Sequence, residues 1–236
     1  MKILIAGDTH GDKDNILHLT SKASGNGCEK ILILGDFGYF PHMANGQSFL
    51  DYCEKMAKTH KIEIHWIKGN HDNHEALAAY SGAVKIRPHV IFHQNLHVWK
   101  WGKYNFCAVG GAYSIDKNHR TIGIDWWIDE QVSMADVYNC EDIKENVDII
   151  VSHDCPMSVN INSHLDFKND PETANNRNKL QAIVDVLKPS KVFHGHYHVM
   201  IEDGIGNHPD GTFDSIGLAS NVNPRKKQTL IFDCEV

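Results

Sequence analysis

A chain of 236 residues, 42% of them apolar, is long enough to bury one large core, and a single domain over residues 1–236 is the simplest reading. Its formal charge of -7 gives no general pull toward nucleic-acid phosphates, so nucleic acid is not a favoured partner. Six scattered cysteines without a Cys-x-x-Cys pair, and no apolar run near the ~20 residues of a membrane span, argue against a disulfide scaffold or a membrane protein and for a cytoplasmic one.

The first apolar run, Ile3 to Ala6, is too short for the core of a signal peptide and reads instead as a buried strand ending in Gly7-Asp8-Thr9-His10-Gly11. Asp12 or Asp14 then caps a helix carrying Ile16, Leu17 and Ala23, which Gly25-Asn26-Gly27 stops. Ile31 to Leu34 predict a second strand, ended by Gly35-Asp36. Phe49, Leu50, Cys53, Met56 and Ala57 recur at the period of an amphipathic helix. Ile62 to Ile67 predict a third strand before Gly69-Asn70-His71-Asp72. This alternation of strand and helix through about residue 80 predicts a parallel βαβ core.

The middle of the chain changes character. Val90 to Phe92, Leu96 to Trp101 and Tyr104 to Val109 look like strands, with Gly102-Lys103 at a hairpin turn. Ser133 with Asp136 reads as a capping pair ahead of Val137 and Cys140. Val147 to Val151 lead into Ser152-His153-Asp154. Residues 158 to 178, polar and rich in Asn and Asp, predict a surface loop or lid. Leu180, Ile183, Val184 and Leu187 form a helical stripe that Pro189 ends, and Lys191-Val192-Phe193 leads into Gly195-His196-Tyr197-His198. Thr212 to Leu218 and Gln228 to Phe232 again look like strands. A second, more antiparallel sheet packed on the first is the simplest way to bury the middle and C-terminal strands.

Five polar motifs thus follow predicted strands, and loops at the carboxyl ends of strands in an open α/β sheet converge on one crevice. They offer Asp8, His10, Asp36, Asn70, His153, His196 and His198 as candidate metal ligands. Carboxylate, imidazole and amide oxygen suit Mn, Fe, Co, Ni or Zn, and the lack of Cys in the motifs argues against a thiolate structural site. Seven side chains are too many for one ion with an open position, whereas two ions sharing a carboxylate accommodate them. Taken singly, Asp8 or Asp36 reads more often as a cap or turn residue, Asn70 as a turn residue and His153 as a core histidine. Their joint placement is what points to a metal centre.

In chain order, Asp-x-His, Gly-Asp, Gly-Asn-His-Asp, a lone His and Gly-His-x-His, spread over residues 7 to 198, resemble the signature of the calcineurin-like metallophosphoesterases. The resemblance implies an α/β fold in which two mixed β-sheets pack as a sandwich flanked by helices. It implies two divalent transition-metal ions, with manganese the expected activating ion in vitro. Asp8, His10 and His198 would hold one ion, Asn70, His153 and His196 the other, and Asp36 would bridge them. The implied reaction is in-line attack at phosphorus by a metal-bound hydroxide, with ions ~3.5–4 Å apart clamping the attacking and leaving oxygens. His71 would protonate the departing oxygen, Asp72 would accept the other ring proton of His71, and Asn70 would also touch substrate. Residues two apart in extended backbone share a face, so an extended His196-Tyr197-His198 would aim both imidazoles the same way.

Two departures bear on the substrate. Phe37-Gly38-Tyr39 follows Asp36 where the protein-phosphatase branch carries Asp-Arg-Gly, and Asp72 stands where that branch has Glu. The chain looks more like the small phosphodiesterase branches, including cyclic-nucleotide phosphodiesterases. The loop over residues 110–120 offers a substitute cation, with Arg120 the first candidate for binding substrate phosphate and His119 the second. Phe37, Tyr39, Phe40 and Trp126-Trp127 have the chemistry to stack on a nucleobase, although core burial is the commoner fate of such residues. The expected activity is hydrolysis of a small phosphodiester, a nucleotide among the candidates. A phosphomonoesterase, such as a nucleotide or protein Ser/Thr phosphatase, is the alternative. A non-catalytic metal-binding scaffold is the third reading, and the intact set of ligand-type residues stands against it.

Overall fold

The computed structural model describes residues 1–161 and 170–235. In chain order its first half runs β1 (Lys2–Ala6), α1 (Lys13–Gly25), β2 (Lys30–Ile33), α2 (Ala44–His60), β3 (Glu63–Trp66), α3 (His74–Leu77), β4 (Ala83–Arg87), β5 (Val90–His93), β6 (Val98–Trp101) and β7 (Tyr104–Val109). The second half adds α4 (Met134–Asn139), β8 (Ile149–Ser152), α5 (Pro171–Leu187), β9 (Lys191–His194), β10 (Ile201–His208), β11 (Gly211–Gly217), α6 (Arg225–Gln228) and β12 (Thr229–Asp233).

These strands form two six-stranded sheets, ordered β12-β1-β2-β3-β5-β4 and β10-β11-β9-β8-β7-β6. On β1, Leu4 and Ala6 face an apolar layer shared with Ile16 and Leu19 of α1 and Phe49 and Leu50 of α2. Ile3 and Ile5 face the other way, into a layer with Phe106, Ile149, Val151 and Phe193 of the second sheet. A third layer packs Cys107, Ile150 and Val192 on Leu180, Ile183 and Val184 of α5. Strands covered on both faces need continuous apolar runs, which is why these show no alternation. The result is the expected sandwich of two mixed sheets between helices.

Three details differ from the sequence expectation. The second sheet is no more antiparallel than the first: each has parallel pairings at its centre and an antiparallel pairing at either edge. Val90 to Phe92 and the strand after Gln228 extend the first sheet, on β3 and β1, because those strands have free edges there. Within the polar stretch 158 to 178, the chain is helical from Pro171. Asp170 accepts the N–H groups of Glu172 and Thr173, and Pro171 stands where a missing N–H costs nothing. This helix face carries no apolar signal because it is buried yet polar: Asn176 Nδ2 donates to Asp154 Oδ2 at 2.6 Å, and Arg177 donates to the carbonyls of Cys155, Pro156 and Val159. Residues 162–169 of the predicted lid lie outside the described residues. Among the described residues no helix is long and apolar enough to cross a membrane.

Candidate metal centre

β1, β2 and β3 are neighbours in one sheet and deliver Asp8, Asp36 and Asn70 just past their carboxyl ends; β8 and β9, neighbours in the other, deliver His153 and His196. The first two loops are stitched together by the N–H groups of Thr9 and His10, which donate to the carbonyl of Asp36 at 3.2 and 2.7 Å. The glycines of the motifs have a steric reason. A Cβ on Gly69 would lie 2.1 Å from Asp36 Oδ1, and one on Gly195 would lie 2.4 Å from Asp8 Oδ1. Only bare backbone can approach these carboxylates so closely.

His10, Asp36, His196 and His198 all have left-handed backbone, with φ of 47, 48, 66 and 55°. Side chains rarely adopt that region, and such strain gathers where the surrounding structure must aim a group. His196-Tyr197-His198 is therefore not extended, and the two imidazoles are not aimed by strand periodicity. Tyr197 between them turns inward, its hydroxyl donating to the buried Asp154 Oδ1 at 2.6 Å.

Asp8, His10 and His198 bring ligand atoms within 4.8 Å of one another, and so do Asp8, Asp36 and His153. His198 Nε2 lies 3.0 Å from Asp8 Oδ2 and 3.2 Å from His10 Nε2. His153 Nε2 lies 2.9 Å from Asn70 Oδ1 and 3.4 Å from Asp36 Oδ1. Asp36 Oδ2 faces the other group, 3.9 Å from His10 Nδ1. His196 lines the same cavity, with its ring 5.1 Å from that of His153 and its backbone N–H on Asp8 Oδ1 at 3.1 Å, but its ring nitrogens join neither cluster. Asp8 thus touches both groups, where the sequence reading gave that place to Asp36 alone.

Burial opposes charge on Asp36, yet the imidazoles of His153 and His71 hold its carboxyl well below the usual carboxylate range. Burial likewise lowers His153, but Asp36 and Asp8 overcome it and push the imidazole up to about 10. His196, with burial dominant, is lowered to about 4.

His71 stands beside these groups, its Nε2 3.9 Å from Asp36 Oδ2 and its N–H on Asp36 Oδ1 at 2.7 Å. Arg120 reaches the same place: its Nη2 donates to His71 Nε2 and to Asp116 Oδ2, both at 2.7 Å. Burial, followed by the guanidinium of Arg120, lowers the imidazole of His71 against the pull of Asp36. His119 is exposed on the short turn Lys117–His119 and does not line the cavity. Asp72 makes no hydrogen bond to His71, contrary to the sequence reading. Its fully buried carboxylate accepts the N–H groups of Phe37, Gly38, Tyr39 and Gly69 and so ties the second motif loop to the third. Burial and the nearby charge of Asp36 push it up to about 6. Phe37, Tyr39 and Trp127 are buried, Phe37 stacking on Trp66 at 4.7 Å, so core packing accounts for them. Phe40 lines an adjoining cleft next to His10.

The cavity over the centre, about 250 Å³, is also lined by Tyr113, Ser114, Ile115 and Asp116. Sequence reasoning missed these and the buried Glu130 behind them. Asp116 had a local signal, an acid four residues before Arg120. Ser114 and Glu130 had none.

A family model for calcineurin-like phosphoesterases matches residues 1–200. The chain belongs to that family. No curated protein matches it. Among solved structures it is similar to a dimetal phosphatase from Danio rerio, with a TM-score of 0.56, 12% identity, and coverage of 97% of this chain and 91% of that one. It is also similar to a Thermus thermophilus protein, TT1561, with a TM-score of 0.52, 12% identity, and coverage of 99% and 98%. At such identities these likenesses speak for the fold alone.

Calcineurin-like phosphoesterases bind two divalent ions, and the donor groups of this one fit such cations. His153 Nδ1 lies 2.7 Å from the carbonyl of Leu34, which only accepts, so Nδ1 carries a proton and Nε2 is the nitrogen that faces Asn70 Oδ1 and Asp36 Oδ1; the raised imidazole satisfies both oxygens with a proton on Nε2. A divalent ion bound there would take the place of that proton, since a ligating imidazole must give up the proton on its metal-facing nitrogen. Asp8 Oδ2 is buried without an aligned donor and faces the other group.

Proposed function

We propose that this phosphoesterase is a one-domain, cytoplasmic enzyme over residues 1–236 that hydrolyses phosphodiester bonds in small substrates, cyclic and other nucleotides among them. The observation that carries the reading is the meeting of Asp8, His10, Asp36, Asn70, His153 and His198, from separate strand-end loops, around buried acceptor atoms. His196 completes the proposed set. Six free, buried cysteines support a reducing compartment.

Two divalent ions held by these residues, manganese in the assay, supply Lewis-acid charge and lower the pKa of water. The chain's own groups do the rest. Arg120 binds a non-bridging phosphate oxygen through its guanidinium, and Asn70 contacts the phosphate. When substrate takes the Nη2 donor, His71 Nε2 is released from accepting it, takes up a proton from solvent and passes that proton to the leaving oxygen. Asp72 serves His71 indirectly, by fixing the loop that carries it.

Charge favours a diester over a monoester. Asp116 already pairs with Arg120, so the positive charge beside the centre is largely balanced. A phosphodiester brings one negative charge to such a site, whereas a monoester dianion brings two.

The test is a screen of manganese-loaded protein against cyclic nucleotides, bis-aryl phosphates and monoesters, with Asp36→Asn as the control for contaminating activity. Turnover of diesters above monoesters, lost on chelation, is expected. Monoester turnover alone would favour a phosphomonoesterase, and no turnover with two ions bound would favour a scaffold.

A further inference from the structure

An amide side chain has two unlike ends, and only its oxygen can face a cation. Asn70 Nδ2 donates to Ser114 Oγ at 2.8 Å while its Oδ1 lies 2.9 Å from His153 Nε2. Ser114 Oγ in turn donates to Glu130 Oε2 at 2.6 Å, and Ser114 N donates to Glu130 Oε1 at 2.7 Å. Glu130 and Ser114 are each 1% exposed, so water does not substitute for either partner. A hydroxyl has one proton. Because that of Ser114 points at Glu130, only lone pairs remain toward Asn70, and only the amide's NH₂ end satisfies them.

We propose that Glu130 and Ser114 are positioning residues that set the polarity of Asn70 and thereby hold its Oδ1 toward the ion-binding centre. The inference rests on the reading of Asn70 as a metal ligand. Glu130 does not line the cavity over that centre, and Ser114, which does, has its hydroxyl on Asn70 and Glu130; both act through Asn70. Such outer contacts are worth about 10–100-fold in metal affinity.

Glu130→Gln tests the polarity with little change of shape. If the new amide keeps its oxygen on Ser114 N, its NH₂ donates to Ser114 Oγ. The hydroxyl proton then turns toward Asn70, which rotates end for end. If the new amide is reversed, two N–H donors face each other at Ser114. Ser114→Ala removes the acceptor outright and serves as the second variant.

The experiment titrates chelator-stripped protein with Mn²⁺ in a calorimeter and records the melting temperature of each metal-free form. Two binding steps are expected for the parent chain. In both variants one step weakens about 10–100-fold and the other is unchanged. The metal-free melting temperatures stay within about 3 °C of the parent, the span of about 1 kcal/mol at this size. Two unchanged steps in both variants would overturn the proposal. So would weakening of both steps alongside a lower metal-free melting temperature, which would assign the pair to folding. A parent chain that binds no Mn²⁺ would instead fail the metal-centre reading itself.

Discussion

Asp36 has one carboxylate oxygen toward His153 and the other toward His10, and it accepts the N–H of His71. Asp36→Asn keeps the shape but removes the charge both sides use. Metal retained after desalting, read by elemental analysis, is expected to fall by more than about 100-fold in affinity, beyond the range of outer-contact losses. His71→Ala is expected to leave metal content intact and to slow esters with poor leaving groups by about 10²–10⁴, with activated aryl esters affected less. A leaving-group series read as kcat would show equal losses if His71 carried no proton. Arg120→Ala is expected to lower kcat/KM about 10–100-fold at unchanged metal content, the worth of one hydrogen bond to a charged group. The residues behind these predictions were legible one by one because their chemistry is local: carboxylates and imidazoles directly after strands. Their partners were not. Asp116 on Arg120 had only its four-residue spacing to suggest it, and Ser114 with Glu130 on Asn70 arise from a loop whose path local pattern does not set.

Asp72 shows how an element's ends are held. Four backbone N–H donors from two loops share its oxygens, two on each. Asn at this position offers one acceptor oxygen and turns an NH₂ toward two donors. Asp72→Asn is expected to cost on the order of 2 kcal/mol in urea unfolding, even though it relieves a buried charge beside Asp36. An unchanged midpoint and m-value would remove Asp72 from this role. Most strands were readable as continuous apolar runs and the long helices as periodic apolar stripes; β4 and β10, mostly exposed or half-buried, were not. The first turns of α5 were not, since Asn176 and Arg177 are buried polar residues whose partners lie on another loop.

At the scale of the whole molecule, burial of imidazoles between and beside the sheets makes stability depend on pH. His93 on β5, its Nε2 2.8 Å from His65 Nδ1, is pushed down to about 2 by burial and then by His65, His97 and Lys30. It stays neutral in the folded chain while its unfolded counterpart titrates near 6.5. The unfolded state therefore binds the extra proton as pH falls below about 6.5, and stability declines by about 1.4 kcal/mol per pH unit from this group. His93→Gln is expected to flatten the urea-midpoint profile between pH 6.5 and 5 by about that slope. A parallel profile would show that His93 protonates freely in the folded state.

The sequence by itself determined the kinds of candidate ligand, their order and the strands that present them, because each of these depends on residues near one another in the chain. Tertiary structure decided the rest. His10 meets His198 across 188 residues, His153 meets Asn70 across 83, and Arg120 meets His71 across 49. Which acceptor faces which, and which donor rests on His71, follow from how two sheets stack and how loops turn through left-handed backbone. Short-range periodicity carries no record of those contacts.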